Sequence, residues 1–101
     1  MAQYFALHRQ KKDPKQFADF FGANAPRYAT TMAAGKSPAK CIKTWNPMGY
    51  GRNDYVFCLW EAEKPADIET TLREFELSEW LTADIMGVDE IDWAQLAKAT
   101  A

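Results

Sequence analysis

His8 is the only histidine of the 101-residue chain, and it falls near the end of a short alternating segment, Gln3 to Arg9. An imidazole titrates near pH 6.5, so it can serve as a general acid or base or bind a metal. The alternation predicts a strand that places His8 on the face opposite Phe5 and Leu7. We interpret His8 either as a catalytic or ligand-binding residue or as a hydrogen-bonded, partly exposed histidine at a strand end.

A transition-metal site would need about three ligands besides His8. The candidate donors elsewhere in the chain are Asp84, Asp89, Glu90 and Cys58. No His-x-x-x-His or Cys-x-x-Cys spacing assembles them. The acidic residues could also bind a hard cation, but alternating orientation along a strand and helix capping explain them more simply. The sequence therefore leaves nickel or another divalent metal as an alternative in which His8 is the one named ligand.

Cys41 and Cys58 belong to two apolar segments, Cys41 to Trp45 and Tyr55 to Trp60, that flank a glycine-containing loop. This pattern predicts an antiparallel hairpin. In a symmetric register Cys41 would lie opposite Cys58, and the two could form a redox pair. A shift of one residue in this register would move the side chains of one strand to the opposite face of the sheet. The alternative to a redox pair is that both cysteines are buried, inert thiols.

Aromatic residues are concentrated around the same hairpin and could stack against a flat organic ligand. Lys43 lies in the middle of the hairpin and could pair with an acidic group. The alternative is that these rings form the hydrophobic core and a dimer interface, and we assign Trp60 to the core. The predicted ligand pocket consists of Tyr4, Lys43, Trp45, Tyr50, Tyr55 and Cys58.

Helices are predicted on either side of this hairpin. Asp13-Pro14 is typical of a helix start, with a break expected near Asn24 and a second piece from Pro26 to about Ala33. Lys64-Pro65 opens another helix, whose apolar stripe is Ile68, Leu72 and Phe75. A final strand is predicted from Ile85 to Ile91. Asp92 is expected to cap a terminal helix, Trp93 to Lys98, that packs Trp93 and Leu96.

This order, β-α-β-β-α-β, predicts a single α+β domain over residues 1–101 with a ferredoxin-like fold. Right-handed crossovers would give a four-stranded antiparallel sheet with both helices on one face. The other face needs a cover. We expect a second copy of the same sheet to supply it, which would make a homodimeric α+β barrel.

Charge is distributed unevenly along the chain. Residues 1–60 carry nine Lys and Arg against three Asp, whereas the remainder carries three against eleven Asp and Glu. The asymmetry could steer self-association, but two solvated faces that differ in sign are the favoured explanation. The basic residues form no stripe, which argues against nucleic acid. No signal peptide or membrane span is recognisable, and two cysteines make no secreted scaffold, so a cytoplasmic location is expected.

Three segments, Tyr4 to Arg9, Ile42 to Trp45 and Tyr55 to Ala62, resemble a small bacterial family of ferredoxin-like proteins. The family's chains show a strand ending in His-Arg and a third strand close to Val-Phe-Cys-Leu-Val-Glu-Ala, and some members are described as nickel-binding. The resemblance implies the ferredoxin-like fold and His8 as a metal ligand. The family's following helix commonly holds His-Arg-Glu-Ala-His, whereas Thr71 to Leu77 here contains no histidine.

Three functions are consistent with these observations. The first is a homodimer that binds a small molecule or metal between its sheet and helices or inside the dimer barrel. The second is a cofactor-independent monooxygenase or isomerase in which His8 acts as acid or base beside Trp45 and Tyr55. The third is an interaction protein whose aromatic face is only an interface. The second rests on analogy of fold.

Overall fold

The computed structural model describes residues 1–100. Its elements follow the predicted order β-α-β-β-α-β, and the predicted terminal helix comes after them. Short 3-10 turns at Pro47–Tyr50 and Leu77–Glu79 complete the connections. The predicted hairpin, helix starts and terminal helix are confirmed. The strands and helices are β1 (Ala2–Arg9), α1 (Pro14–Ala33), β2 (Lys40–Trp45), β3 (Tyr55–Ala62), α2 (Pro65–Glu74), β4 (Asp84–Gly87) and α3 (Trp93–Thr100).

The four strands form one antiparallel sheet in the order β2-β3-β1-β4, which is compatible with a ferredoxin-like topology. β1 pairs with β3 over its whole length, from Ala2 opposite Ala62 to Arg9 opposite Tyr55. His8 therefore lies opposite Val56 in the two central strands. Strands in the middle of a sheet have neighbours on both sides, so the position of His8 is held firmly.

One face of the sheet is covered by α1 and α2, as predicted. The alternate residues of β1 and β3 that point to this face are buried: Ala6, His8, Val56, Cys58, Trp60 and Ala62. Across from them, Ile68 and Leu72 of α2 are buried in the same core. The Tyr28 hydroxyl of α1 donates to the Phe75 carbonyl at 2.6 Å, and the two rings stack at 4.3 Å. This contact joins α1 to the end of α2.

The other face of the sheet, here called the open face, carries no helix within residues 1–100. The rings of Phe5, Trp45 and Phe57 lie side by side on it, with centroids of neighbouring rings 6.1 to 6.3 Å apart. The open face is formed by Phe5, Leu7, Trp45, Tyr55, Phe57, Leu59 and Met86. It is a contiguous apolar surface, as the sequence predicted for a sheet that needs a cover.

The expected break in α1 is wrong, because the helix continues through Pro26 to Ala33. A proline inside a helix has no N–H and removes one i→i−4 bond. Here side chains make local bonds around it: the Asn24 amide donates to the Phe20 carbonyl, and the Thr30 hydroxyl donates to the Pro26 carbonyl. The start is as predicted, since the Asp13 carboxylate accepts from the Lys15 N–H. None of the helices within residues 1–100 is both long and apolar enough to cross a bilayer.

The C-terminal part differs from the prediction in two ways. β4 ends at Gly87 and not at Ile91. The Asp92 cap is confirmed by a 3.1 Å bond from the Gln95 N–H, but the expected packing of α3 is wrong. Trp93 is 74% exposed and Leu96 is 47% exposed, and no residue of α3 is buried. α3 therefore forms without burying any of its side chains against the rest of residues 1–100.

Candidate functional site

A cavity of about 410 Å³ lies between α1 and the helix-covered face of the sheet. Ala25 and Ala29, one turn apart on α1, line it beside the larger Phe21 and Met32. A helix that points only methyl groups at part of a sheet leaves space there, because side chains would otherwise fill the gap to normal interior density. Most of the wall is apolar, and the cavity falls within the range of roughly 300–1,000 Å³ typical of small-molecule sites.

His8 forms part of this wall and is completely buried. Its Nδ1 lies 2.9 Å from the Thr82 carbonyl oxygen, an acceptor, so Nδ1 carries the proton and donates. Nε2 is then an unprotonated acceptor, and it is buried without a hydrogen-bond partner. The interpretation as a hydrogen-bonded histidine is confirmed, but the partial exposure expected with it is wrong. A buried acceptor without a partner is unusual and costly in a folded protein.

Trp60 supplies the complementary polar group. Its ring is buried in the core, as predicted, and lines the same cavity, while its Nε1–H has no acceptor. Because His8 lies opposite Val56, four residues from Trp60 along β3, the backbones of the two residues are about 13 Å apart along the strand. The cavity thus offers one acceptor and one donor without partners, in a wall that is mostly apolar and also includes Lys43, Thr44 and Asn46.

Burial lowers the pKa of His8 from its ordinary value of 6.5, and the hydrogen bond to Thr82 opposes this only partly. The folded protein therefore takes up a proton at lower pH than the unfolded chain does. Above pH 6.5 both states hold neutral His8 and the histidine causes no pH dependence. As the pH falls below 6.5, only the unfolded chain gains the proton, and the free energy of unfolding decreases.

We expect urea unfolding at pH 7.5, 6.5 and 5.5 to show this loss, with a slope of at most about 1.4 kcal/mol per pH unit for one proton. The chain has no second histidine to contribute in this window. The control is the same series on His8→Asn, which should be flat between pH 7.5 and 5.5. Equal slopes for the two proteins would contradict the assignment.

Cys41 and Cys58 both line the cavity as free thiols, but not in the symmetric register. The hairpin loop sets a register in which Cys58 lies opposite Thr44, and a bulge at Ile42 then places Cys41 opposite Trp60. The Thr44 hydroxyl lies 3.4 Å from the Cys41 sulfur and 3.3 Å from the Cys58 sulfur. Contact with Cys58 lowers the pKa of Cys41, and contact with Cys41 together with burial raises the pKa of Cys58. Cys58 is therefore a neutral thiol at the cavity wall.

The residues predicted to form one pocket are distributed over four places. Lys43 and Cys58 line the cavity together with His8. Trp45 and Tyr55 belong to the open face, on the opposite side of the sheet. Tyr50 is 91% exposed in the 3-10 turn of the hairpin loop, and Tyr4 lies beside Gly87 at the far edge of the sheet. Residues that are close along the hairpin sequence alternate between the two faces of the sheet, so closeness in sequence does not place them in one pocket.

Sequence reasoning missed the contribution of α1 to the cavity. The pair Ala25 and Ala29 at i, i+4 spacing, on the helix that carries Phe17, Phe21 and Tyr28, was the available signal. Small residues within the apolar stripe of a core helix mark a place where the helix cannot fill the space beneath it.

The metal alternative does not fit the described residues. Within residues 1–100, no three His, Cys, Asp or Glu side chains come together in a way that could hold an ion. His8 is surrounded by apolar side chains, and Asp84 and Asp89 are exposed at the β4 edge. A nickel or zinc site with His8 as ligand would lack the remaining donors.

No protein-family model matches the chain, and no curated protein is similar to it in sequence.

Proposed function

We propose that the protein binds a small, flat, largely apolar molecule that carries a hydrogen-bond donor, and that the cavity between α1 and the sheet is the binding site. The observation that carries the proposal is the fully buried His8, whose Nε2 has no partner at the wall of the cavity. A donor on the ligand would satisfy this acceptor, and the apolar wall would contribute affinity through burial.

The rest of the wall supports the same class of ligand. Phe17, Phe21 and Tyr28 present ring surfaces that suit stacking. A ligand long enough to reach Trp60 could also accept a bond from its Nε1–H. The one charged residue that lines the cavity, Lys43, is exposed, so a strongly charged ligand in the buried part would lose hydration without compensation.

The molecule is proposed to act as a homodimer. The open face exposes contiguous apolar and aromatic surface, and packing of two such sheets face to face would remove it from water. This arrangement is the dimeric α+β barrel expected from the sequence, and it leaves the ligand cavity on the opposite side of each sheet. The cytoplasmic location remains a prediction.

A second candidate function is catalysis in the same cavity without a cofactor. The bond from Nδ1 to the Thr82 carbonyl holds His8 in one tautomer, and the lowered pKa keeps Nε2 unprotonated at neutral pH. A neutral Nε2 beside a bound molecule could remove a proton as a general base, as the monooxygenase or isomerase alternative requires. Mass spectrometry of bound molecules recovered after incubation distinguishes unchanged ligand from product.

The proposal is tested with 2-naphthol as probe and naphthalene as the matched probe that lacks the hydroxyl. In the ¹⁵N-labelled protein we expect 2-naphthol to shift the His8 Nε2 and Trp60 Nε1 resonances saturably and to raise the midpoint of thermal unfolding. Naphthalene should bind about tenfold more weakly, because it leaves Nε2 unpaired. If 2-naphthol at its solubility limit moves neither resonance, the binding site is not this cavity.

A further inference from the structure

The last twelve described residues, 89–100, extend from the domain as an arm with an apolar side that has no partner. Trp93 and Leu96 lie at i, i+3 spacing on α3 and are 74% and 47% exposed, and the preceding Ile91 is 64% exposed. Placing a tryptophan and two large aliphatic residues in water is unfavourable. The radius of gyration, 14.9 Å, exceeds the roughly 13 Å expected of a compact chain of this length.

The same chain has a second unpartnered apolar surface, the open face. β1 and β3 place Phe5, Phe57 and Leu59 there, and no other part of residues 1–100 covers them as a helix would. In a two-fold symmetric dimer the arm of each copy could cover the open face of the other. Each copy then supplies one arm and accepts one.

Charge complementarity between the arm and the open face favours a second copy of this chain over an unrelated protein as the partner. Three exposed acidic residues, Asp89, Glu90 and Asp92, form the base of the arm. Two exposed basic residues, Arg9 and Lys43, border the open face, where the Arg9 guanidinium donates to the Tyr55 hydroxyl at 3.0 Å. None of these five residues takes part in an ion pair within the described part of the chain. Opposite charges at the rim of an interface orient the partners and speed their association.

We propose that the C-terminal arm, residues 89–100, is exchanged between two copies of this chain, with Trp93 and Leu96 of each arm packed on the rim of the partner's open face. This inference rests on the proposed homodimer and adds to it the segment that completes the interface. The acidic base of the arm lies against Arg9 and Lys43 of the second copy. Each sheet is then covered by the other sheet and by the other copy's arm.

The first test measures the dimer of the full chain by analytical ultracentrifugation, where the expected mass is twice the 11.5 kDa of one chain. The double variant Trp93→Ser/Leu96→Ser should raise the dimer dissociation constant at least tenfold, because buried tryptophans are frequent hot spots. Tyr50→Ser removes a more exposed ring from the hairpin loop, which belongs to neither surface, and should have no effect. Leu59→Arg, in the middle of the open face, should give monomers.

The second test locates the arm. Isotope-labelled and unlabelled copies are mixed, and nuclear Overhauser effects between the Trp93 ring and the Trp45 ring, at the β2 edge of the open face, are recorded with an isotope filter. Effects seen only between copies support the exchange, and effects seen only within one copy overturn it. If the double variant dimerises as the wild type does, the arm exchange is wrong and the sheet interface still stands. A wild-type protein that stays monomeric at all concentrations overturns both.

Discussion

Ala25→Phe is expected to remove 2-naphthol binding while leaving the protein folded. Ala25 lines the cavity from α1, and a phenyl ring at this position would enter the space that the ligand needs. The dissociation constant should rise at least tenfold. The free energy of unfolding should change by less than about 1.5 kcal/mol, because the ring fills space that is already open and does not overpack a filled core.

The matched control for Ala25→Phe is Ala23→Phe, the same substitution at an exposed position of the same helix. It should alter neither the affinity for 2-naphthol nor the resonances of His8 and Trp60. Both quantities are measured by NMR titration, with urea unfolding for stability. If Ala25→Phe binds the probe as the wild type does, the probe occupies another surface and the cavity is not the site.

The second large effect is expected at His8, where two substitutions separate its two ring nitrogens. The amide nitrogen of an asparagine lies at about the position of Nδ1, so His8→Asn can still donate to the Thr82 carbonyl while the acceptor at Nε2 is lost. We expect about a tenfold weaker affinity for 2-naphthol and an unchanged affinity for naphthalene. The stability cost should stay near 1 kcal/mol, since the buried hydrogen bond is kept.

His8→Leu removes both nitrogens and leaves the Thr82 carbonyl without its donor. The free energy of unfolding should fall by about 1–3 kcal/mol relative to His8→Asn, as measured by urea unfolding at pH 7.5. The bond joins the end of β1 to the segment before β4, so its loss should loosen that edge of the sheet first. Equal stability of the two variants would show that the Thr82 bond contributes nothing.

Because of this bond, His8 is both a structural and a functional candidate. A partly exposed histidine at a strand end would tolerate replacement by alanine with little loss of stability. Complete burial changes that expectation, because truncation would leave a cavity and an unpaired carbonyl. Only a substitution that keeps the Thr82 bond can report on the role of Nε2 alone.

Local signals in the sequence were sufficient for the elements of this fold. Asp13-Pro14 and Lys64-Pro65 start helices, because the N–H that proline lacks would have no acceptor within the first turn. Alternation in β1 and β3 separates the two faces of the sheet. The spacing of Ile68, Leu72 and Phe75 predicted three residues that are all buried. These features depend on residues within one or two turns of each other, so a single segment determines them.

Tertiary structure decided the features that depend on packing between distant segments. Pro26 does not break α1, because the helix is packed into the core on both sides of the proline, through Phe17 before it and Tyr28 after it. The hairpin loop sets Cys58 opposite Thr44, and the bulge at Ile42 places Cys41 opposite Trp60, on the same face as Cys58, with both sulfurs near the Thr44 hydroxyl. Neither outcome follows from propensity, since each reflects how the hairpin and α1 fit against the rest of the domain.

The candidate site shows the same division. The sequence by itself determined that His8 lies on the face of β1 opposite Phe5 and Leu7. Only the tertiary structure placed Thr82 against Nδ1, left Nε2 and the Trp60 Nε1–H without partners, and opened the cavity beneath Ala25 and Ala29. The physical reason is that alternation specifies which way a side chain points, whereas a cavity depends on how far a helix stands from the sheet, and that distance is set by every contact between them.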